Sequence, residues 1–340
     1  MEATTQNSSR PALGIDIAKK TFDAALLQGA KLSVGHFDND AKGFVKLSRW
    51  VSDQGADQFH ACMESTGVYW DPLAVHLHQA RQRVSVVNPL RIHGFARTEL
   101  ARNKTDREDA ARIARFCHLH GPYPWQPLPA ERRKLRDLTR HLHAVKKAKH
   151  QHSNRLEGTP TEWLLQSLKR TLAHFDEEIG LLWKEIQAHI DRHPELKRQR
   201  KLLETIPAIG ELTATLLLAE LPNIERFASA RQVAAFAGVT PKHRQSESSV
   251  RGRTQMSKMG QARIRCALYM PAIVARTHNP MAKALADRLA ERGKCPMVII
   301  GAMMRKLLHI VYGVLKSGKP FRSEEHTSEL QSLAYLVCRL

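Results

Sequence analysis

The chain has 340 residues, 42% apolar and 25% charged, which is the composition of a globular protein long enough for two or three domains. Its 53 Lys and Arg residues outnumber 33 Asp and Glu residues and give a net charge of +20. A polyanionic partner is therefore expected, most often nucleic acid, with an anionic membrane surface as the competing partner. Residues 1–10 lack a secretory signal and the longest apolar run, 297–304, ends at two cations, so neither export nor a membrane span is expected. Five cysteines without CxxC spacing are typical of a reducing cytoplasm and disfavour a structural zinc site.

The N-terminal third alternates between strand and helix patterns. Residues 11–17, 22–28 and 31–37 are short apolar runs separated by brief turns, which predicts three strands joined as two hairpins. Apolar periodicity then predicts, in order, a helix over 41–54, a strand over 59–64, a helix over 71–81, a strand over 84–88, and helices over 90–100 and 106–119. Thr105 and Glu108 form a capping box at the start of the last helix. This order predicts a mixed sheet with helices.

The middle of the chain has the pattern of two long helices. A proline-rich linker, 121–131, precedes a first leucine series, and the segment 157–162 separates it from a second. The apolar positions step by three and four residues through Leu135, Leu138, Leu142 and Val145, then Leu165, Leu168, Leu172, Phe175, Ile179, Leu182 and Ile186. This heptad spacing predicts a coiled coil or a helical hairpin, used either as an intramolecular spacer or for dimerisation. From 196 to 316 the pattern stays mainly helical.

The C-terminal end has an unusual sequence. The stretch "RSEEHTSELQS" (322–332) resembles the translation of a common sequencing adapter, so we expect residues 322–340 to be a non-native tail without a functional role. The preceding patterns divide the chain into an α/β domain over 11–120, a linker with coiled-coil helices over 121–195 and a mainly helical domain over 196–321.

Four acidic residues occupy positions that predict a metal site. Asp16 ends the first predicted strand and Glu64 ends the fourth. Asp106 and Asp109 lie one helical turn apart within the basic stretch "RNKTDREDAARIA" (102–114). Two carboxylates on one helix face need a positive partner, which is either a neighbouring Arg or Lys or a divalent metal. In an RNase H-like sheet the first and fourth strands are adjacent, so this layout predicts that all four acids meet and hold one or two Mg²⁺ ions that polarise a phosphodiester.

Two stretches of the C-terminal part predict phosphate binding. The turn within "ETIPAIGELTATLLLAEL" (204–221) resembles a helix-hairpin-helix, which offers backbone N–H groups to a phosphate, and a simple turn between helices fits the pattern equally well. Residues 236–270 place hydroxyls among many cations, which indicates a flexible basic loop that either binds phosphates or supplies a serine nucleophile. The candidate nucleic-acid contacts are Lys104, Ile209, Gly210, Lys242, Arg244, Arg251, Arg253 and Lys258, and the hydroxyls are those of Ser246, Ser248, Ser249 and Thr254.

Ordered blocks along residues 12–321 resemble the DEDD transposases of insertion-sequence family one-ten, also called bridge-RNA-guided recombinases. They include "GIDIAKKTFD", "MESTGVYWDPLA", "VSVVNP", "RNKTDREDA", "RKLLETIPAIGE", "ARQVAAFAGVTP", "SSVRG", "MSKMG" and "YGVLKSGKPF". The resemblance implies a RuvC-like N-terminal domain with Mg²⁺ as the cofactor, whose acidic tetrad is Asp16, Glu64, Asp106 and Asp109. It also implies that a serine of the C-terminal transposase domain attacks DNA and forms a phosphoserine link.

The position that matches the nucleophile of the family is Ser246. The surrounding pattern differs from that of relatives, because Arg244 stands where they have an aromatic residue and Glu247 where they have a glycine. Glycine permits backbone angles that Glu resists, so Ser248 remains the alternative nucleophile and an impaired copy remains an alternative for the whole chain.

The resemblance further implies the partners and the place of action. A noncoding bridge RNA would pair with double-stranded donor and target DNA, which suits a basic protein without an obvious base-reading motif. Homodimers would assemble into a homotetramer, in which the acidic site of one subunit meets the serine of another, on the nucleoid in a bacterial cytoplasm. The expected function is DNA recombination through phosphoserine, which needs no ATP and agrees with the lack of a P-loop motif. The alternatives are a RuvC-like nuclease that uses metal-activated water and an inactive nucleic-acid-binding remnant.

Overall fold

The computed structural model divides the chain into two units, Met1–Pro127 and Leu128–Leu340. It describes residues 10–98, 106–159, 161–246 and 250–322, with the backbone alone at 243–246 and 250–254. The predicted capping residue Thr105 and the predicted tail after residue 322 lie outside the described residues. The finer division of the chain into domains stays a prediction.

The first unit is built on a five-stranded mixed sheet. Its strands are β1 (Ala12–Ile17), β2 (Thr21–Gln28), β3 (Lys31–Asp38), β4 (His60–Glu64) and β5 (Arg83–Val87). They lie in the order β3-β2-β1-β4-β5, and β1 pairs antiparallel with β2 and parallel with β4. The structure therefore confirms the two predicted hairpins and the adjacency of the first and fourth strands.

Helices cover both faces of this sheet. They are α1 (Ala41–Asp53), α2 (Asp71–Gln79), α3 (Pro89–Thr98) and α4 (Asp106–His120). Leu13 and Ile15 of β1 share an apolar cluster with Leu47 of α1 and with residues of α2. The alternate residues Gly14 and Asp16 point to the opposite face, which α4 covers. Strand alternation thus places Asp16 on the α4 face.

The second unit begins with a long antiparallel helical hairpin. Its helices are α5 (Ala130–Leu156) and α6 (Glu162–Asp191). Lys134 Nζ lies 2.9 Å from Glu185 Oε1, and the rings of His152 and Phe175 lie 5.2 Å apart, so the two helices run in opposite directions. Both leucine series contribute to one apolar cluster of this unit. The hairpin is a contact within the chain, and its use as a coiled coil between chains stays a prediction.

Within the described residues, six more α-helices, a short 3-10 helix at Ile224–Arg226 and a pair of strands complete the second unit. The helices are α7 (Pro194–Glu204), α8 (Glu211–Glu220), α9 (Ala230–Ala237), α10 (Ala262–His278), α11 (Pro280–Glu291) and α12 (Pro296–Ser317). The antiparallel strands are β6 (Pro241–Ser246) and β7 (Val250–Met256). The structure confirms a mixed sheet followed by a mainly helical part. It corrects the predicted flexible loop, because the basic segment forms a strand ladder that satisfies its backbone groups.

An ion pair between a partly exposed arginine and a buried glutamate joins the hairpin to the rest of the second unit. Arg140 of α5 donates from Nε and Nη2 to the two carboxylate oxygens of Glu220, at 2.8 and 2.9 Å. The Glu220 side chain is only 4% exposed. Gln261, which precedes α10, donates to the same carboxylate at 3.1 Å, and Arg263 Nε lies 3.7 Å from it. The Glu220 carboxylate at the end of α8 therefore holds together α5 and the start of α10. The start of α10 follows shortly after β7 in the sequence.

Among the described helices, α12 is long and apolar enough to cross a membrane by length and composition. Half of that stretch is buried inside the protein, and Met303, Leu307 and Val311 are buried where α12 packs on α9, α10 and α11. These are the contacts of a core helix.

Candidate active site

Two acids lie at the carboxyl ends of neighbouring parallel strands, Asp16 one residue before the end of β1 and Glu64 at the end of β4. Ile15 of β1 pairs with Met63 of β4, and the next residues are Asp16 and Glu64. Because parallel strands end at the same edge, the two carboxylates lie side by side on the face that α4 covers. Thr66 Oγ1 donates a hydrogen bond of 3.3 Å to Glu64 Oε2, which orients that side chain.

Helix α4 reaches this edge because it packs very close to β1. A Cβ added to Gly14 would lie 2.2 Å from Ala110 O and 2.1 Å from Ala114 N, so the approach requires a glycine. Small alanines of α4 complete the contact with the sheet. The first turn of α4, which carries Asp106 and Asp109, is thereby brought to the end of β1.

Charge repulsion links the four predicted acids at this edge. Burial, followed by repulsion from other carboxylates, raises the pKa of Asp16 to about 6. The repelling carboxylates, in decreasing order of effect, are those of Asp109, Asp106, Glu64 and Asp23. Repulsion among the carboxylates therefore adds to the larger effect of burial on this pKa. A cation bound at this edge would lower the pKa of Asp16 and stabilise the cluster.

One of the acids has a cationic partner within the chain. Nη1 of Arg112 donates to Oδ1 of Asp109, one turn earlier on α4, and the Arg112 side chain is only 9% exposed. The sequence allowed either an Arg or a metal as the positive partner of the acid pair. For Asp109 that partner is Arg112. The compensation does not extend to Asp16, whose pKa stays raised.

The donor set at this edge fits a hard divalent cation. All four predicted ligands offer carboxylate oxygens, which Mg²⁺ prefers, and the raised pKa of Asp16 indicates negative charge that such a cation would neutralise. Over residues 10–98, 106–159, 161–246 and 250–322, no three Asp, Glu, His or Cys side chains are arranged to hold a metal ion. Coordination of one ion by these acids therefore requires an arrangement different from the one described.

A fifth acid lies in the same row of the sheet and was not predicted. Asp23 of β2 pairs across the strands with Asp16 on one side and with His36 of β3 on the other. Its Oδ1 lies 3.1 Å from His36 Nδ1, and its side chain is buried. The sequence signal was an acid within the apolar strand "TFDAALL", and the register of the sheet makes that acid a neighbour of the site.

The predicted nucleophile lies on the strand pair of the second unit. Ser246 is the last residue of β6 and pairs with Val250, whereas the alternative, Ser248, lies outside the described residues. Lys242 is exposed on β6, and Lys258 follows β7 with a left-handed backbone, φ +54°. The two strands also contain the predicted contacts Arg244, Arg251 and Arg253. The strand pair that ends at Ser246 therefore carries most of the cations predicted to bind phosphate.

The predicted helix-hairpin-helix turn joins α7 and α8. Its left-handed residue is Ala208, with φ +80°, whereas Gly210 has an extended backbone and caps α8. Ile209 is buried and therefore anchors the turn, and a Cβ at Gly210 would meet nothing within 4 Å. The start of α8 is thus open, and phosphate binding there stays a prediction. The remaining predicted contact, Lys104, lies outside the described residues.

Two family models match the chain. A model of DEDD transposases of the IS110 type, described as a transposase, matches residues 13–162. A second, described as the transposase IS116/IS110/IS902 family, matches residues 200–287. The first match contains the four acids of the candidate site, and the second contains Ser246.

Curated relatives match through both units. The pilin gene-inverting proteins of Moraxella bovis and Moraxella lacunata are each 35% identical over 327 residues, which cover 94% of this chain and 99% of theirs. An uncharacterized 43.6 kDa protein of insertion element IS110 from Streptomyces coelicolor is 25% identical over 167 residues, 49% of this chain and 40% of that protein.

Proposed function

Because the chain belongs to the IS110 family of transposases, we propose that it cleaves and rejoins DNA under the guidance of a noncoding RNA, through a serine nucleophile assisted by an acidic metal site. The observation that carries this proposal is the gathering of carboxylates where β1, β4 and α4 meet. The net charge of +20 suits a polyanionic substrate. The names of the two Moraxella relatives describe gene inversion, a process in which strands are cut and joined to new partners.

The acids of the first unit are the proposed ligands of the cofactor, and they are Asp16, Glu64, Asp106 and Asp109. When bound there, Mg²⁺ supplies polarisation of the phosphodiester and offsets the negative charge that builds on phosphorus. Asp16 must be ionised to serve as a ligand, so its raised pKa couples ligation to loss of its proton. Arg112 holds Asp109 in place on α4, and Gly14 allows α4 to approach.

The serine of the second unit is the proposed nucleophile. Ser246 Oγ attacks the scissile phosphorus, the Oγ–P bond forms, and the bond from phosphorus to the leaving deoxyribose oxygen breaks. The serine proton passes to solvent, and the leaving oxygen takes up a proton. Attack on the phosphoserine by a hydroxyl of the new partner strand reverses these steps and rejoins the DNA without ATP. Cations on the same strand pair, such as Lys242, would offset charge on the phosphate oxygens.

Other parts of the proposal concern assembly and partners. A bridge RNA that pairs with donor and target DNA would supply sequence choice. The α5–α6 hairpin is the proposed coiled-coil element of a homodimer that assembles into a homotetramer, and partly exposed seam residues such as Leu165 and Leu172 support this use. The α7–α8 turn is proposed to contact phosphate as a helix-hairpin-helix, and the first unit to be RuvC-like. The reaction is proposed to occur on the nucleoid of a bacterial cytoplasm.

A denaturing gel tests the chemistry. The purified chain is mixed with Mg²⁺, with labelled DNA carrying the ends of the element, and with RNA transcribed from the DNA that flanks the gene. We expect a protein–DNA adduct that Ser246→Ala abolishes and that Ser248→Ala, the matched control two residues away, retains. An adduct lost only in Ser248→Ala moves the nucleophile to that residue. Hydrolysed ends without an adduct would favour the metal-dependent nuclease instead.

Acid and RNA requirements are tested in the same assay. Asp16→Ala, Glu64→Ala and Asp106→Ala should each abolish the adduct, and unchanged recombination in these variants contradicts the metal hypothesis. An adduct of equal yield without RNA contradicts guidance. Tight DNA binding by a chain that neither cuts nor forms an adduct would identify an inactive remnant.

A further inference from the structure

The middle of α12 carries charged residues that the proposed function does not use. Arg305 and His309 lie one helical turn apart and share a face, and Lys306 lies beside them. Helices α9 and α11 both pack on α12. Their nearest cations complete a group that we name the α12 cation cluster, which consists of Arg231 of α9, Arg288 of α11, Arg305 and Lys306.

These cations repel one another across three helices. Burial, followed by repulsion from Arg231, lowers the pKa of Arg305, and burial with repulsion from Arg288 lowers that of Lys306. Burial and the neighbouring cations also lower the pKa of His309 to about 4, so that ring is neutral at pH 7. The interactions of Arg305 with Arg231 and of Lys306 with Arg288 are between like charges, so positive charge is concentrated on this part of α12.

Nothing within the described residues compensates the cluster. None of its four members has a hydrogen bond or an ion pair to another described side chain. Arg305 Nε and His309 Nε2 are buried polar atoms without a hydrogen-bond partner there, and His309 is only 7% exposed. Buried polar groups in proteins are normally hydrogen-bonded and buried charges are normally paired. An external anion can supply the partner that the described residues do not provide for Arg305.

We propose that the α12 cation cluster binds backbone phosphates of a nucleic acid. This inference rests on the proposed function only in taking a nucleic acid as the partner of the chain. Phosphodiesters suit the cluster because guanidinium groups donate two parallel hydrogen bonds to phosphate oxygens. Arg231 and Arg288 are exposed on either side, whereas Arg305 and Lys306 are half-buried between them. A phosphate can therefore approach from solvent and reach the unpaired donors on α12.

The salt dependence of binding tests the proposal. Fluorescence anisotropy measures Kd for labelled duplex DNA and for single-stranded RNA between about 50 and 300 mM salt. Each lost phosphate contact lowers the slope of log Kd against log salt by about 0.9 for duplex DNA and by about 0.7 for a single strand. For Arg305→Gln/Lys306→Gln we expect a slope lower by about 1.4–1.8 on one of the two probes. The probe that responds identifies the source of the phosphates.

A charge-matched control separates the cluster from the general field of the chain. Arg276→Gln/Lys283→Gln removes the same charge from exposed positions of α10 and α11, and its slope should stay close to that of the wild type. The charge-preserving variant Arg305→Lys/Lys306→Arg should restore most of the lost slope. Equal slopes for the cluster variant and the control on both probes would overturn the proposal.

Thermal unfolding provides a second readout. Because the cluster has no side-chain partner among the described residues, Arg305→Gln/Lys306→Gln should keep or raise the Tm in the absence of nucleic acid. Inorganic pyrophosphate should raise the Tm of the wild type more than that of the variant. A clear fall in Tm without ligand would show that these cations stabilise the fold and would overturn the proposal. Neither readout involves strand cleavage. The absence of a serine adduct would therefore not contradict this inference, and equal salt slopes would not contradict the serine chemistry.

Discussion

Replacing Gly14 by alanine tests the packing that assembles the acidic edge. The added Cβ would lie 2.1 Å from Ala114 N and 2.2 Å from Ala110 O. Packed interiors do not accommodate such distances, so α4 must move by about 1 Å or β1 must bend. No side chain can turn aside, because both atoms belong to a helix backbone. We expect the free energy of unfolding of the first unit to fall by about 1–3 kcal/mol, the usual cost of overpacking.

The same movement separates the acids on α4 from Asp16. Misplacement by about 1 Å can lower the rate of a reaction about 100-fold, and we expect Gly14→Ala to slow formation of the serine adduct by about that factor. Affinity for DNA should stay near that of the wild type, because Gly14 is covered by α4 and does not present a cation to DNA.

Urea unfolding followed by tryptophan fluorescence measures the loss of stability. Replacing Trp163 and Trp183 with Phe restricts the signal to the first unit, whose tryptophans are Trp50, Trp70 and Trp125. Gly94→Ala is the matched control, because Gly94 is exposed in α3 and a Cβ there meets nothing within 4 Å. It should raise the free energy of unfolding by about 0.5–1 kcal/mol. If Gly14→Ala unfolds within about 0.5 kcal/mol of the wild type and forms adduct at full rate, the reasoning is refuted.

Other substitutions probe charge and helix propensity. In EDTA at pH 7, Asp16→Asn should be more stable in urea than the wild type by about 1–2 kcal/mol after allowance for partial exposure, because an acid whose pKa is raised to about 6 destabilises the fold once ionised. The gain should vanish as the pH falls below about 4 and should reverse in Mg²⁺, and a difference independent of pH contradicts this account. Arg140→Ala and Glu220→Ala should each cost about 3–5 kcal/mol, and a double-mutant cycle in urea should show that the double variant costs less than the sum. Gly180→Ala in α6, where a Cβ meets nothing within 4 Å, should raise the free energy of unfolding by about 0.5–1 kcal/mol, and a loss would indicate an unseen neighbour.

Local patterns in the sequence predict the elements of the first unit closely. Its five strands and four helices begin and end within about two residues of the predicted bounds, because strand alternation and helical periodicity are properties of short segments. The meeting of Asp16 and Glu64 was also predictable. Parallel neighbouring strands end at a common edge, so the order of the strands is enough to bring residues near their carboxyl ends together.

Register and long-range pairing are not carried by any local pattern. Asp23 becomes a neighbour of Asp16 only through the antiparallel register of β1 and β2, and Arg140 meets Glu220 across 80 positions of sequence. The strands β6 and β7 were missed because their basic, polar composition resembles that of a loop. The left-handed turn residue at Ala208 was missed because glycine is the usual choice for that conformation and Gly210 lies two residues away.

The central position of β1 in its sheet affects how the first unit folds during synthesis. Chains leave the ribosome at about 5–20 residues per second, so β1, β2 and β3 emerge seconds before β4 can cover the open edge of β1. Asp106 and Asp109 of α4 emerge later still, because most of the first unit lies between them and Asp16 in the sequence. A nascent chain that has not reached residue 106, or a protein truncated before it, contains only Asp16 and Glu64 of the four proposed ligands. Under the proposed function, a chain of this length lacks half of its metal ligands and cannot complete the acidic site.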